Sequence, residues 1–181
     1  MIHTSRLLIR QFTEQDYKSL FEYLSNPSIY IYEPGEPITL EAAREIAKKR
    51  SQNNDFWAVI LNNTGELVGH IFFKQTEPAE FLTWELGYIF NPVFQNKGYA
   101  TESSNALIRY GFKHWGIHKV VANCNPENIA SWRVLEKIGM AREGLIRKNV
   151  YFKRDDDGNP KWTDTLTYGI LKDDIEPSME K

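Results

Sequence analysis

The sequence predicts one mixed α/β domain, with about seven strands and four helices, on three observations. Short apolar runs with two-residue alternation succeed one another through the middle of the chain. Two of these runs each lead into an amphipathic helical stretch closed by a glycine. Near the end, DDDGNP (155–160) is a strong turn between two long strand-like runs.

Taken in order, RLLIRQF (6–12) reads as a strand. Thr13 with Asp16 three residues on is a near-capping-box start for a helix whose stripe is Tyr17, Leu20, Phe21 and Leu24. Asn26-Pro27 ends it, and SIYIYEPGEP (28–37) reads as a loop. Thr39 opens a second helix, LEAAREIAKKRSQ, without a reciprocal acid at Ala42. Three strand candidates follow at 55–61, 66–75 and 82–90. In the last, Trp84, Leu86, Tyr88 and Phe90 share one face, and Thr83, Glu85, Gly87 and Ile89 the other. A helix is expected from about Tyr99 to Trp115, with Ala106, Leu107, Tyr110 and Phe112 as its stripe. KVVANC (119–124) is a strand, and Asn128 starts a helix that Gly139 closes. AREGLIRKNVYFKR and KWTDTLTYGILK form the terminal hairpin. No repeat or linker interrupts residues 1–181, so one domain is expected, with its core from about 4 to 171.

Composition narrows the function classes. The 181 residues are 41 % apolar and 25 % charged, ordinary for a globular chain that builds a core. A net charge of −2 gives no basic field for nucleic acid or an anionic membrane. The single cysteine, Cys124, excludes an internal disulfide and a cysteine-cluster zinc site, and no metal is expected. No apolar run approaches the roughly 20 residues that cross a bilayer, and the N-terminus lacks a secretory build, so the expected location is cytoplasmic.

Two constellations carry chemistry. In YIFNPVFQNKGYATES, a strand breaks at Asn91-Pro92 and Gln95-Asn96-Lys97-Gly98-Tyr99-Ala100 runs into a helix, with Thr101 next. The first amides of a helix lack intrahelical partners, and with the dipole they suit phosphate oxygens. Gly98 lets the backbone approach such a ligand. Neither a dinucleotide fingerprint nor a Walker loop is present, and the same six residues also read as a turn before a surface helix. In the second constellation, Asn128 and Ser131 lie three apart on one side of a first helical turn. Alone, they read as an N-cap and a surface serine.

Together the order is strand, Gln-x-x-Gly-x-Ala helix, strand, Asn-x-x-Ser helix, Leu-Glu-Lys-x-Gly, hairpin. This resembles the GNAT superfamily of acetyl-CoA-dependent N-acetyltransferases, and within it the branch that acetylates ribosomal-protein N-termini. The stretches TSRLLIRQF, WELGYIFNPVFQNKGYATES, NPENIASWRVLEKIGM and REGLIRKNVYF…WTDTLTYGIL carry the resemblance, from about Thr4 to Leu171. It implies a mostly antiparallel sheet with a splayed central pair. It also implies a pyrophosphate of coenzyme A on Gln95 to Thr101, and a pantetheine arm against Ile89, Phe90 and Asn128. Ser131 would lie beside the sulfur as thiolate stabiliser. The general-acid tyrosine of many relatives falls at Leu135 here and is missing. Family members often form homodimers.

The implied chemistry is an amine attacking a thioester, which needs a base for the ammonium and a donor for the thiolate. Glu85, inside an apolar strand, is the expected base, because burial would raise its basicity; a structural carboxylate with a water chain as base is the alternative. His70 reads as packing, His114 and His118 as helix-end cations, Cys124 as core, and Asp164 as hairpin support or a substrate contact. The acceptor is expected between 28–37 and the hairpin, with Tyr30, Tyr32, Glu33 and Tyr151 as aromatic walls and a carboxylate for a cationic amine. The leading acceptor is a protein N-terminus. A small amine such as an antibiotic or polyamine, and a non-catalytic coenzyme A binding module, are the alternatives.

Overall fold

The computed structural model describes residues 1–175. Eight strands form one sheet in the order β1-β2-β3-β4-β5-β6-β8-β7. They are β1 (Ile2–His3), β2 (Leu7–Gln11), β3 (Phe56–Leu61), β4 (Leu67–Gln75), β5 (Thr83–Phe90), β6 (Lys119–Cys124), β7 (Ala141–Val150) and β8 (Thr163–Leu171). Five α-helices accompany them: α1 (Tyr17–Leu24), α2 (Leu40–Ser51), α3 (Tyr99–His114), α4 (Ile129–Lys137) and α5 (Lys172–Ile175). The expected seven strands and four helices are all present. The additional β1 and α5 span two and four residues, too short to leave a periodic signal.

Local chemistry fixes the ends of these elements. The Asp16 carboxylate accepts the Thr13 amide at 2.7 Å and a two-pronged grip from Arg10, both arms at 2.8 Å. The capping acid therefore also ties α1 to β2. Thr39 Oγ1 accepts the Ala42 amide at 3.2 Å and starts α2. The stretch expected as a plain loop instead begins with a 3-10 turn, Pro27–Ile31, with its proline in the first turn. The buried stripe of α3 is Leu107, Ile108, Gly111 and Phe112 together with Ser103 and Ser104; Ala106 and Tyr110 sit at its margin.

Alternation along β3 divides the core. Trp57, Val59 and Leu61 face one layer, which includes Leu107, Phe112, Leu135 and Tyr168 under α3 and α4. Ala58 and Ile60 face the other, with Leu20, Tyr23, Ala43 and Ala47 of α1 and α2.

One irregularity in the sheet makes the site. All neighbouring strands pair antiparallel except β5 and β6, which run parallel. That pairing covers only Thr83–Lys119, Trp84–Val120 and Glu85–Val121, and beyond Glu85 the strands diverge. On its other side β5 stays paired to β4 as far as Phe90, opposite Gly69. A Cβ on Gly69 would lie 2.6 Å from the Phe90 ring and 2.7 Å from the Ile89 carbonyl. The absence of a side chain there lets β4 hold the diverging end of β5 in line. No helix among the described residues is long and apolar enough to cross a membrane.

Candidate active site

Two cavities meet at the divergence of β5 and β6. One, about 690 Å³, runs along the N-terminus of α3 and the near face of α4. The other, about 650 Å³, lies on the side of the terminal hairpin. Each is of the size that holds a small organic ligand. They share six lining residues: Tyr32, Glu33, Tyr88, Ile89, Asn128 and Ser131.

The first cavity contains the helix end singled out in the sequence. Gly98 has φ +81°, a left-handed conformation, and is the N-cap of α3. Gln95 Nε2 donates to the Phe90 carbonyl at 3.0 Å and ties the loop to the end of β5. Arg6 braces the loop from β2's side: its Nη1 donates to the Lys97 carbonyl at 2.9 Å and its Nε to Glu102 at 2.6 Å. Thr4 Oγ1 donates to the same carboxylate at 2.6 Å, and these donors hold Glu102 below the usual carboxylate range despite its partial burial. The walls include Gln95, Asn96, Gly98, Tyr99, Ala100 and Thr101. Arg133 and Lys137, four apart on α4, add two cations that the sequence reading passed over. A helix N-terminus capped by glycine and two cations in the same lining fit a diphosphate. Lys97 departs from the set expected there: its ammonium lies 5.1 Å from the Phe94 ring centroid, and its side chain does not line the cavity.

Gly98 offers a direct check. In Gly98→Ala the left-handed backbone costs about 1–2 kcal/mol. The added Cβ would also stand 3.3 Å from Arg6 Nη2. The dissociation constant for acetyl-CoA, measured by titration calorimetry, is expected to rise about tenfold, with the helical signal in circular dichroism unchanged.

At the junction, Asn128 Oδ1 accepts the Ser131 amide at 3.2 Å and starts α4. The Tyr88 hydroxyl donates to the Ser131 carbonyl at 2.7 Å and lies 3.3 Å from Ser131 Oγ. Burial pushes the Tyr88 phenol up, so it is protonated at neutral pH. Tyr88 is the junction residue that the sequence reading missed. It shares a face with Leu86 and Phe90, and its ring packs partly buried against the core while its hydroxyl reaches the junction. Cys124, expected in the core, is half-buried instead and lines the second cavity. Burial pushes its thiol up to about 11, against opposing effects of Arg142 and Ser131.

Two carboxylates border the hairpin-side cavity near the junction. Glu85 was expected to be buried. It sits at the last β5–β6 pair, half-buried, and accepts Asn123 Nδ2 at 3.3 Å. The strands part at this point. Glu33, expected as an acceptor contact, lines both cavities, and burial pushes it up to about 7.

Two expected acceptor walls lie elsewhere. The Tyr30 hydroxyl donates to the Leu24 carbonyl at 2.8 Å, and its ring packs by Gly35, so it faces α1 and lines neither cavity. Tyr151 is exposed, edge-on to Trp162 and beside Arg154, outside both cavities. The hairpin instead contributes Phe152 and Asp164, whose carboxylate also accepts the Lys148 amide at 2.9 Å.

Similarity to known proteins agrees with this geometry. The family model described as "Acetyltransferase (GNAT) domain" matches residues 6–141. An uncharacterised N-acetyltransferase of Bacillus subtilis, YnaD, is 40 % identical over 174 residues, covering 96 % of this chain and 98 % of that protein. The alanine N-acetyltransferase of ribosomal protein uS5 from Escherichia coli is 26 % identical over 185 residues, covering 96 % and 92 %. The crystal structure of a GNAT-family acetyltransferase from Bacillus anthracis superposes with a TM-score of 0.87 at 40 % identity, covering 95 % of this chain and 98 % of that one. The chain therefore belongs to the GNAT family of acetyltransferases.

Proposed function

We propose that this N-acetyltransferase binds acetyl-CoA along the α3–α4 cavity and a primary amine in the hairpin-side cavity, with direct transfer at their junction. The observation that carries this reading is the shared lining: Glu33, Tyr88 and Ser131 belong to both cavities at once. A base and a hydroxyl donor are thus within reach of both reactants.

Each residue then has a task. Glu33, with basicity near neutral, takes a proton from the incoming ammonium. The amine nitrogen forms its bond to the thioester carbonyl carbon, and the carbon–sulfur bond breaks. Ser131 Oγ donates a hydrogen bond to the departing sulfur, which takes up the second proton lost by nitrogen. Tyr88 holds the first turn of α4, and with it Ser131, in place. Glu85 and Asp164 add negative charge to the amine side. A Cys124 thiol at about 11 is un-ionised at neutral pH, which argues against an acetyl-cysteine route.

For the acceptor we infer a protein N-terminal amine of the ribosomal type, supported by the uS5 alanine acetyltransferase from Escherichia coli. A small-molecule amine is the second reading, favoured by a hairpin-side cavity of only about 650 Å³. Release of free thiol from acetyl-CoA, recorded against peptides with varied N-termini and a set of small amines, tests both. Acetylation of peptides beginning with alanine, at rates above those of all small amines, is the expected result. Acetyl-CoA binding without turnover on any amine would refute the proposal.

A further inference from the structure

The hairpin-side cavity holds a cation that forms no ion pair among the described residues. Arg50, in the last turn of α2, lines that cavity and is absent from the lining of the other. Its guanidinium carbon lies 4.0 Å from the Phe56 ring centroid and 5.3 Å from that of Phe12. Nη1 is buried and has no hydrogen-bond partner. Among the described residues, Arg50 forms no ion pair.

Its polar neighbours carry no compensating charge. Tyr23 and Tyr30 are phenols that burial pushes up, so both are protonated at neutral pH. His70, bonded through Nδ1 to the Tyr23 hydroxyl at 2.6 Å, lines the same cavity. Burial and the neighbouring Arg50 charge keep that imidazole neutral. A guanidinium does not shed its proton to escape burial, and stacking on an aromatic ring gives the buried Nη1 no acceptor. A half-buried cation whose Nη1 is buried without a partner marks a candidate ligand site.

We propose that the acceptor carries a carboxylate as well as its amine, and that Arg50 binds that carboxylate. This rests on the acetyl-transfer reading of the cavity. The charge pattern favours a single carboxylate over a phosphate. One arginine matches one planar monoanion, while Glu33, Glu85 and Asp164 in the same cavity would repel a dianion. The amine is drawn to those three carboxylates and the acid to Arg50, so the cavity orients a zwitterion. Two sources share this chemistry: a free amino acid, or a peptide whose acidic side chain follows its N-terminal residue.

The test compares amino acids with their C-terminal amides, and Ala-Asp peptides with Ala-Asn peptides, by thiol release from acetyl-CoA. Acids are expected to exceed amides in kcat/KM by about thirtyfold, the scale of one charge-assisted hydrogen-bonded pair. The amino-acid arm and the peptide arm identify the source. In Arg50→Gln the acid-to-amide ratio is expected to fall to near one, and in Arg50→Lys to an intermediate value. Equal use of acids and amides by the wild type, or an unchanged ratio in Arg50→Gln, overturns the proposal. Should no amine be acetylated, the transfer reading fails, and thermal unfolding with propionate or propionamide, a monoanion and its neutral counterpart, decides the anion site. A rise in Tm with propionate alone supports it; no rise overturns it.

Discussion

Glu33→Gln is expected to lower kcat about a hundredfold, within the range attributed to a positioned general base. The affinity for acetyl-CoA should change less than twofold, since the α3 helix end is untouched. The pH profile gives the sharper reading. Burial raises Glu33 to about 7 from an ordinary 4.5, and only the ionised form accepts a proton. Turnover in the wild type should therefore climb as pH rises towards about 7 and level above it. The glutamine variant should lose that inflection. Glu85→Gln should keep it and cost less than tenfold, because Glu85 is only half-buried and shared with Asn123. If the inflection instead disappears with Glu85, the assignment of the base reverses. Stability supplies an independent check. The folded state binds the Glu33 proton more tightly than the unfolded chain does. The stability tied to that proton is complete below about pH 4.5 and is lost as pH rises through about 7. At pH 8 the glutamine variant, which has no charge to bury, should be more stable than wild type by an amount on the order of 2 kcal/mol in urea unfolding.

Ser131→Ala should lower kcat by about a hundredfold with little change in KM for acetyl-CoA, since a donor to the departing sulfur acts mainly in the transition state. Tyr88→Phe should cost about tenfold by removing the 2.7 Å bond that fixes the Ser131 carbonyl. The informative quantity is their combination. If Tyr88 acts through Ser131, the double variant should be no slower than Ser131→Ala alone. Additive losses would mean that Tyr88 touches the reactants in its own right. Thermal unfolding of each variant separates these losses from damage to the core, because the Tyr88 ring also packs against it.

Particular residues show how far the sequence could be read. Local pattern was enough for the strands, the two glycine-closed helices and the helix end at Gly98, because each rests on short-range chemistry. Tyr30 and Tyr32 look alike in sequence, two apart in one short stretch. Yet the 3-10 turn sends one to the Leu24 carbonyl and the other to the junction. Burial was the least legible property. Glu85 looks buried in an apolar run, yet at the last β5–β6 pair it is only half-buried. Glu33 looks solvated beside Pro34 and Gly35, and only packing against both cavities desolvates it. Arg50, in a run of basic residues at the end of α2, reads as an ordinary complement to a helix dipole. Nothing nearby in sequence announces that its guanidinium turns inward.

The parting of β5 and β6 also bears on the thermodynamics of the free protein. Past Glu85, main-chain amides and carbonyls that would bond across a continuous sheet face one another over a gap. On the proposed binding mode, an elongated ligand with amide groups of its own would restore that missing ladder and behave as a removable piece of the sheet. Occupancy and folding are then linked equilibria. A ligand at a hundred times its dissociation constant adds about 2.7 kcal/mol to global stability. Acetyl-CoA at such a concentration should therefore raise Tm, which thermal unfolding with and without it would measure.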